Sequence, residues 1–231
     1  MIKILQPTTA DHVYANGAYL FYSSNVKDEV YFAGEVERTI YVISGSFTIA
    51  SDKLKVEAGD TIDVKNREVL LIGNGQIYVA QVASHDAPLN YLTITRAGVH
   101  YKVVKPWGYE LWLTKDNDRY CAKKIFIKAG NQTSLQYHNF KEETNLIESG
   151  NVTLVFKANR EAQNDAVTKA DLGESSFNGP VCLHVTPNTI HRLRANTDLH
   201  LFEVSTPHLD DVIRVQDDAN RGNGRIESEH K

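Results

Sequence analysis

Apolar and polar residues alternate along most of the chain in short runs bounded by Gly, Asn, Asp or Pro, the two-residue period of a half-buried β-strand. Thr39 to Ser51 (TIYVISGSFTIAS) reads as two strands hinged at Gly45, and Arg67 to Val82 (REVLLIGNGQIYVAQV) as two more around Gly73-Asn74-Gly75. The same grammar returns in Lys123 to Gly130, Thr144 to Lys157 and Leu199 to Pro207. No long stretch carries the 3.6-residue apolar stripe of an amphipathic helix. Many short strands at this spacing predict an all-β chain, a sandwich or barrel. An apolar strand ending in Ser-Gly and followed by another strand occurs at Tyr41 to Ala50 and again at Asn145 to Val155, about 105 residues later. That interval is close to half the chain and predicts an internal duplication: one β-barrel over residues 1–98 and a second over 99–231.

Composition narrows the function classes. With 231 residues, 42% of them hydrophobic, the chain can bury a real core. The 25 Lys and Arg residues face 29 Asp and Glu, a formal charge of −4, so there is no basic excess to neutralise a phosphate backbone and nucleic acid is not expected as a partner. Cys121 and Cys182 read as ordinary buried thiols of an intracellular chain. The first residues lack an apolar signal region, and no later stretch reaches 18 apolar residues, so the expectation is a soluble, cytoplasmic protein without a membrane partner.

Histidines are unevenly spread. Only His12 and His85 precede residue 99, and the other seven follow it. Gln136 and His138 stand two apart, on one face of a strand, with Glu143 at the start of the next strand of the same hairpin and His191 some 48 residues beyond His138–Glu143. One amide oxygen, two imidazoles and one carboxylate make a mixed nitrogen and oxygen set suited to a divalent ion such as Zn, Fe, Mn, Co or Ni, with positions left open for substrate or water.

Gly130, Gln136, His138, Glu143 and Gly150 follow the spacing of the first cupin motif, with Gln in place of its usual first His. In that respect Ser134-Leu135-Gln136-Tyr137-His138 resembles the mannose-6-phosphate isomerase branch of the cupins. Lys105 to Glu110 (KPWGYE) is similar to the Arg-Pro-Trp-Gly segment that opens the cupin domain of bacterial bifunctional mannose-6-phosphate isomerase/mannose-1-phosphate guanylyltransferases. Lys123 matches the basic residue on the strand after it, and LDDVIRVQDD (Leu209 to Asp218) resembles the closing segment, with Arg221 at the place of the final Arg. The sequence departs from the pattern in a shorter turn before His191, in Ala219-Asn220 where the family has Tyr-Gly, and in a first half that carries no metal motif where a nucleotidyltransferase usually stands. The resemblance implies two tandem cupin (jelly-roll) barrels, the first degenerate, and one divalent metal ion on Gln136, His138, Glu143 and His191. It also implies a metal-dependent aldose–ketose isomerase acting on a sugar or sugar phosphate, with Ser134 in the substrate site.

Strand parity suggests what surrounds the metal. Lys123 shares a face with Cys121, Ile125 and Ile127, where a charge is costly unless paired; it is a candidate to meet substrate or carry a proton, or a lysine snorkelling at the barrel rim. An inward Glu203 is either a general base or a salt-bridged structural group. Arg192 and Arg194 fall on the face opposite His191. Arg214 is expected to pair with the nearby aspartates, while Arg221 either binds a phosphate or pairs likewise. Trp107 either stacks on a sugar or plugs the barrel end. Two other functional classes fit the same residues: a cupin dioxygenase, lyase or epimerase acting on a small carboxylate or sugar, and a non-catalytic sugar-binding bicupin. Under any of these readings a homodimer is a candidate assembly.

Overall fold

The computed structural model describes residues 1–5, 12–15, 19–83, 90–114, 117–157, 168 and 171–230. His85 lies outside these residues. Among them the regular secondary structure is almost entirely β-strand, and no helix is long and apolar enough to cross a membrane. The residues divide into two compact units, each discontinuous in sequence: one of 1–7, 102–112 and 123–231, the other of 8–101 and 113–122.

The first unit packs two sheets face to face. One has seven strands, in the order β1 (Ile2–Leu5), β17 (Val181–Val185), β14 (Glu143–Ser149), β19 (Leu199–Ser205), β12 (Cys121–Ile127), β11 (Gly108–Trp112), β10 (Tyr101–Lys105). The other has five: β16 (Gly173–Asn178), β15 (Asn151–Lys157), β18 (Ile190–Ala195), β13 (Leu135–Tyr137), β20 (Ile213–Gln216). β14 and β15 belong to different sheets and do not pair, so the expected hairpin is a strand that bends from one sheet into the other at Gly150. Gly150 has φ +104°, and a Cβ there would stand 2.4 Å from the Asp198 carbonyl oxygen. Only glycine meets both demands.

Four strands of this unit share one inward pattern. Each carries a polar residue at one end and aliphatics behind it: Lys123 before Ile125 and Ile127, Glu143 before Ile147, Glu203 beside Leu201 and Leu199, His191 before Leu193 and Ala195. Antiparallel register aligns these ends, because Asn145 stands opposite Glu203 and Ile147 opposite Leu201. Burying each aliphatic side chain contributes about 1.5–3 kcal/mol, which closes one end of the barrel with a dry core and gathers the polar groups at the other.

The second unit is built on two long strands, β5 (Val36–Ile49) and β8 (Val69–Ala83), paired along almost their whole length. Neither is the pair of separate strands that the sequence suggests. Each is one strand bent where Gly45 faces Gly75. β5 pairs with β7 (Thr61–Lys65) before the bend and β6 (Leu54–Glu57) after it; β8 pairs with β4 (Glu29–Phe32) and then β3 (Leu20–Val26). β2 (His12–Ala15) and β9 (Tyr91–Thr95) complete the sheet. Ile40 and Val79 pair in register as Asn145 and Glu203 do in the first unit. Aliphatic residues such as Val42, Ile62, Val64 and Ile77 fill this interior.

Candidate metal centre

β13 and β18 place Gln136 directly opposite His191, so both side chains leave the same face of the five-stranded sheet. His138 follows two residues after Gln136, and Glu143 reaches the same point from the start of β14 in the facing sheet. All three of His138, Glu143 and His191 are buried, and one candidate ligand atom from each lies within 4.8 Å of the others. His138 Nε2 is 3.4 Å from Glu143 Oε2, and His191 Nε2 is 3.1 Å from Oε1.

The hydrogen bonds on the far side of each ring decide what these nitrogens offer. His191 Nδ1 donates to the Thr189 carbonyl at 2.9 Å, and His138 Nδ1 donates to the carbonyl of Asp211. A ring that donates from Nδ1 in its neutral form keeps a lone pair on Nε2. Both Nε2 atoms are fully buried and make no hydrogen bond. With both rings in that form, two imidazole lone pairs and a carboxylate converge without a hydrogen between them, an arrangement that a cation satisfies and that fits a divalent ion. Gln136 lines the same cavity, and its Oε1 accepts a hydrogen bond from Ser134 Oγ at 2.6 Å. Ser134 lines the cavity too, so it orients the Gln136 amide as well as facing the site.

Beside this centre lies a buried lysine that the sequence reading did not single out. Lys141 Nζ sits 2.6 Å from Glu143 Oε2 and 3.0 Å from Glu203 Oε1. Burial opposes charge on Glu143, but the Lys141 ammonium outweighs it and holds the carboxyl well below the usual range. Burial likewise opposes charge on Lys141, and the carboxylates of Glu143 and Glu203 outweigh it, raising its pKa. The spacing Lys-x-Glu places Lys141 on Glu143's side and is the signal that could have revealed it.

From Lys141 an alternating chain of charge crosses the cavity wall. Lys123 Nζ stands 3.7 Å from Glu203 Oε1 and 3.4 Å from Glu110 Oε2, and 4.7 Å above the Trp112 ring. Lys105 bridges Glu110 and Glu229, and Glu229 reaches Arg221. Lys123 is therefore buried and ion-paired rather than snorkelling, and Glu203 is salt-bridged through Oε1. Arg221 grips Asp217 at 2.6 Å and does not border the cavity. Trp107 does border it while packing in the aliphatic core. Arg192 and Arg194 leave the opposite face, reaching Asp218 and Glu174. Arg214 departs from its expected pairing. Its Nη1 donates to the Gly222 and Gly224 carbonyls, and among the described residues no carboxylate lies within ion-pair distance.

Glu110 gives this network a measurable pH signature. Burial opposes its charge, but Lys123, Lys105 and Lys141 outweigh that cost and lower its pKa from 4.5 to about 2. A depressed carboxylate stabilises the fold above its unfolded pKa, and that contribution is lost as pH falls through the folded value. The shift corresponds to a contribution on the order of 3 kcal/mol. The thermal midpoint of the wild type is expected to exceed that of Glu110→Gln at pH 6, the gap closing between pH 5 and pH 2. A gap independent of pH over that window would contradict the assignment.

The description of the matching family model is "Mannose-6-phosphate isomerase C-terminal", and the match covers residues 93–217. No curated protein matches the sequence. Among solved structures, protein Ylba from E. coli superposes with a TM-score of 0.65 at 10% identity, covering 88% of this chain and 90% of that one. A Lactobacillus farciminis oxalate decarboxylase in complex with formate gives 0.57 at 9% identity, covering 91% and 88%. A Bacillus subtilis oxalate decarboxylase studied for its Mn(II) centres gives 0.54 at 8%, covering 88% and 76%. At these identities the likeness is one of fold.

Proposed function

The chain belongs to the mannose-6-phosphate isomerase C-terminal family of the cupin superfamily, and from that premise we propose that it is a metal-dependent aldose–ketose isomerase of a phosphosugar. The observation that carries this reading is the convergence of two imidazoles and a carboxylate beside a buried Lys141–Glu203 pair, with Glu143, His191, Lys141 and Glu203 lining one cavity. Gln136, His138, Glu143 and His191 would hold the ion, whether Zn, Mn, Fe, Co or Ni. Bound there, a divalent ion would polarise the carbonyl and adjacent hydroxyl of an open-chain sugar and so acidify the proton on the carbon between them.

The chain's own groups would move that proton. Both lysines reach Oε1 of Glu203, and Oε2 has no ion pair or hydrogen bond among the described residues. Glu203 Oε2 would take the proton from C2 and return it to C1, and Lys141 and Lys123 would hold Glu203 as the carboxylate before the first transfer and after the second. Lys123 would also hydrogen-bond a sugar hydroxyl from its place against Trp112, and Ser134 would keep the Gln136 amide oxygen turned to the ion. Trp107 would wall the apolar face of the sugar. Arg221 would act from outside the cavity, fixing Asp217 and Glu229.

A coupled assay following fructose 6-phosphate formed from mannose 6-phosphate tests the proposal. The metal-loaded protein is expected to turn over, with Glu203→Gln lowering kcat about 100-fold or more at unchanged metal content. A metal-loaded protein inert on every phosphohexose would instead point to the dioxygenase, lyase or epimerase class, and one that neither retains metal nor turns over would point to a sugar-binding role.

A further inference from the structure

The family match ends at residue 217, yet the cavity wall continues past it. Gly224, Arg225, Ile226 and His230 all line the cavity that holds the metal-ligand set. These residues belong to a strap that leaves β20 and returns over the site. Its near end is held by Arg214, whose Nη1 donates to the carbonyls of Gly222 and Gly224, while the backbone N–H of Arg214 donates to Asn223 Oδ1 at 2.8 Å. Its far end is pinned by Glu229, which accepts from Lys105 at 2.8 Å and pairs with Arg221 at 3.3 Å. His230 stands edge-on to Trp112 with ring centroids 5.7 Å apart. Two half-buried ion pairs and a ring contact hold this course of the chain across the cavity.

Charge around the cavity is unbalanced once pairings are followed. Lys105, Lys123 and Lys141 each have a buried carboxylate within 4 Å. The two arginines that line it, Arg214 and Arg225, do not. Arg214 stands opposite Gln136 in the β13–β20 register and so shares its face toward the cavity, and its Nε is buried with no hydrogen-bond partner. Among the described residues Arg225 meets only Glu227, at 3.3 Å between side chains 45% and 81% exposed, a pairing that solvent weakens to little net energy. A divalent ion at the centre would add two further positive charges to this wall.

We propose that the strap completes the site and that Arg225, with Arg214 beside it, receives the dianionic phosphate of the substrate. This rests on the phosphosugar reading above and deepens it by naming a specificity-determining residue outside the family's matched span. A guanidinium offers a phosphate two parallel N–H donors, and an arginine whose only partner is an exposed carboxylate exchanges it for that phosphate at small cost. The lysines, held by carboxylates, stay with the sugar and the ion.

Trp107 and Trp112 are the only tryptophans in the chain, and both line this cavity, so intrinsic fluorescence reports on it directly. Titration of the metal-loaded full-length protein with inorganic phosphate is expected to give a saturable change in wild type. Affinity should fall about tenfold or more in Arg225→Gln and recover in part in Arg225→Lys, with metal content unchanged in both. With mannose 6-phosphate, Arg225→Gln should raise KM by a similar factor and leave kcat within about twofold, the mark of lost uniform binding. Equal phosphate affinity in wild type and Arg225→Gln, or no saturable response in wild type, would overturn the proposal. Phosphate binding through Arg225 in a wild type inert on all phosphohexoses would overturn the isomerase reading and leave the anion receptor standing.

Discussion

His191→Ala is expected to give a folded protein that no longer retains a divalent ion through gel filtration and, under the isomerase proposal, to lower turnover about a thousandfold or more. The physical basis is the pair of buried Nε2 lone pairs aimed at Glu143. Removing a ligand takes one of the few donors from the set, a larger loss than the ten- to hundredfold that follows mutation of an outer-sphere partner. The fold should survive, because His191 ends a strand whose next inward residues, Leu193 and Ala195, stay in the aliphatic core. His200→Ala, a half-buried histidine on β19 outside the cavity lining, serves as the control and should leave metal content unchanged. Metal analysis of His191→Ala, His138→Ala and Glu143→Gln at neutral pH checks the expectation. Retention of one ion per chain by all three would exclude this centre.

The second large effect concerns Lys141. Lys141→Met leaves Glu143 and Glu203 buried on either side of an apolar chain, and breaking a buried pair by removing one partner costs about 3–5 kcal/mol. For a chain of this length that corresponds to a fall of about 10 °C in the thermal midpoint. The loss should be largest in chelator-treated protein and smaller with metal bound, since an ion neutralises Glu143 from its other side. Adding Glu203→Gln to Lys141→Met should recover part of the loss, because the amide no longer needs a counter-charge. Thermal melts of the four proteins of this cycle, with and without metal, measure the coupling. Additive losses in the metal-free state would mean that Lys141 and Glu203 do not act as a pair.

How much of this was legible in the sequence depends on the range of the interaction. Gln136 and His138 share a face because strand side chains alternate with a period of two, and the same rule sends Lys123 inward with Ile125 and Ile127 and sends Arg192 outward. Parity is a local property of a strand and is written in its spacing. The bends at Gly45 and Gly150 read in the sequence as joints between separate strands for a related reason. A glycine between two apolar runs marks a change of direction, but whether the second run folds back on the first or continues into another sheet depends on partners far away in sequence. Lys141 was passed over because it precedes its strand, outside any periodic run, and its partner Glu203 lies 62 residues on.

The amino-acid pattern by itself determined the all-β class, the strand faces and the candidate metal ligands, since each follows from side-chain chemistry and a two-residue period. Only the tertiary structure decided which charges meet. Whether a lysine is free or held, as Lys123 is between Glu110 and Glu203, depends on which strand ends the barrel gathers. The same is true of the strap: in sequence Arg225 is one cation in a polar tail, and it borders the metal cavity because Arg214 and Glu229 hold the chain across it. Coulomb and hydrogen-bond energies depend on distance and burial, and neither exists until the chain has closed.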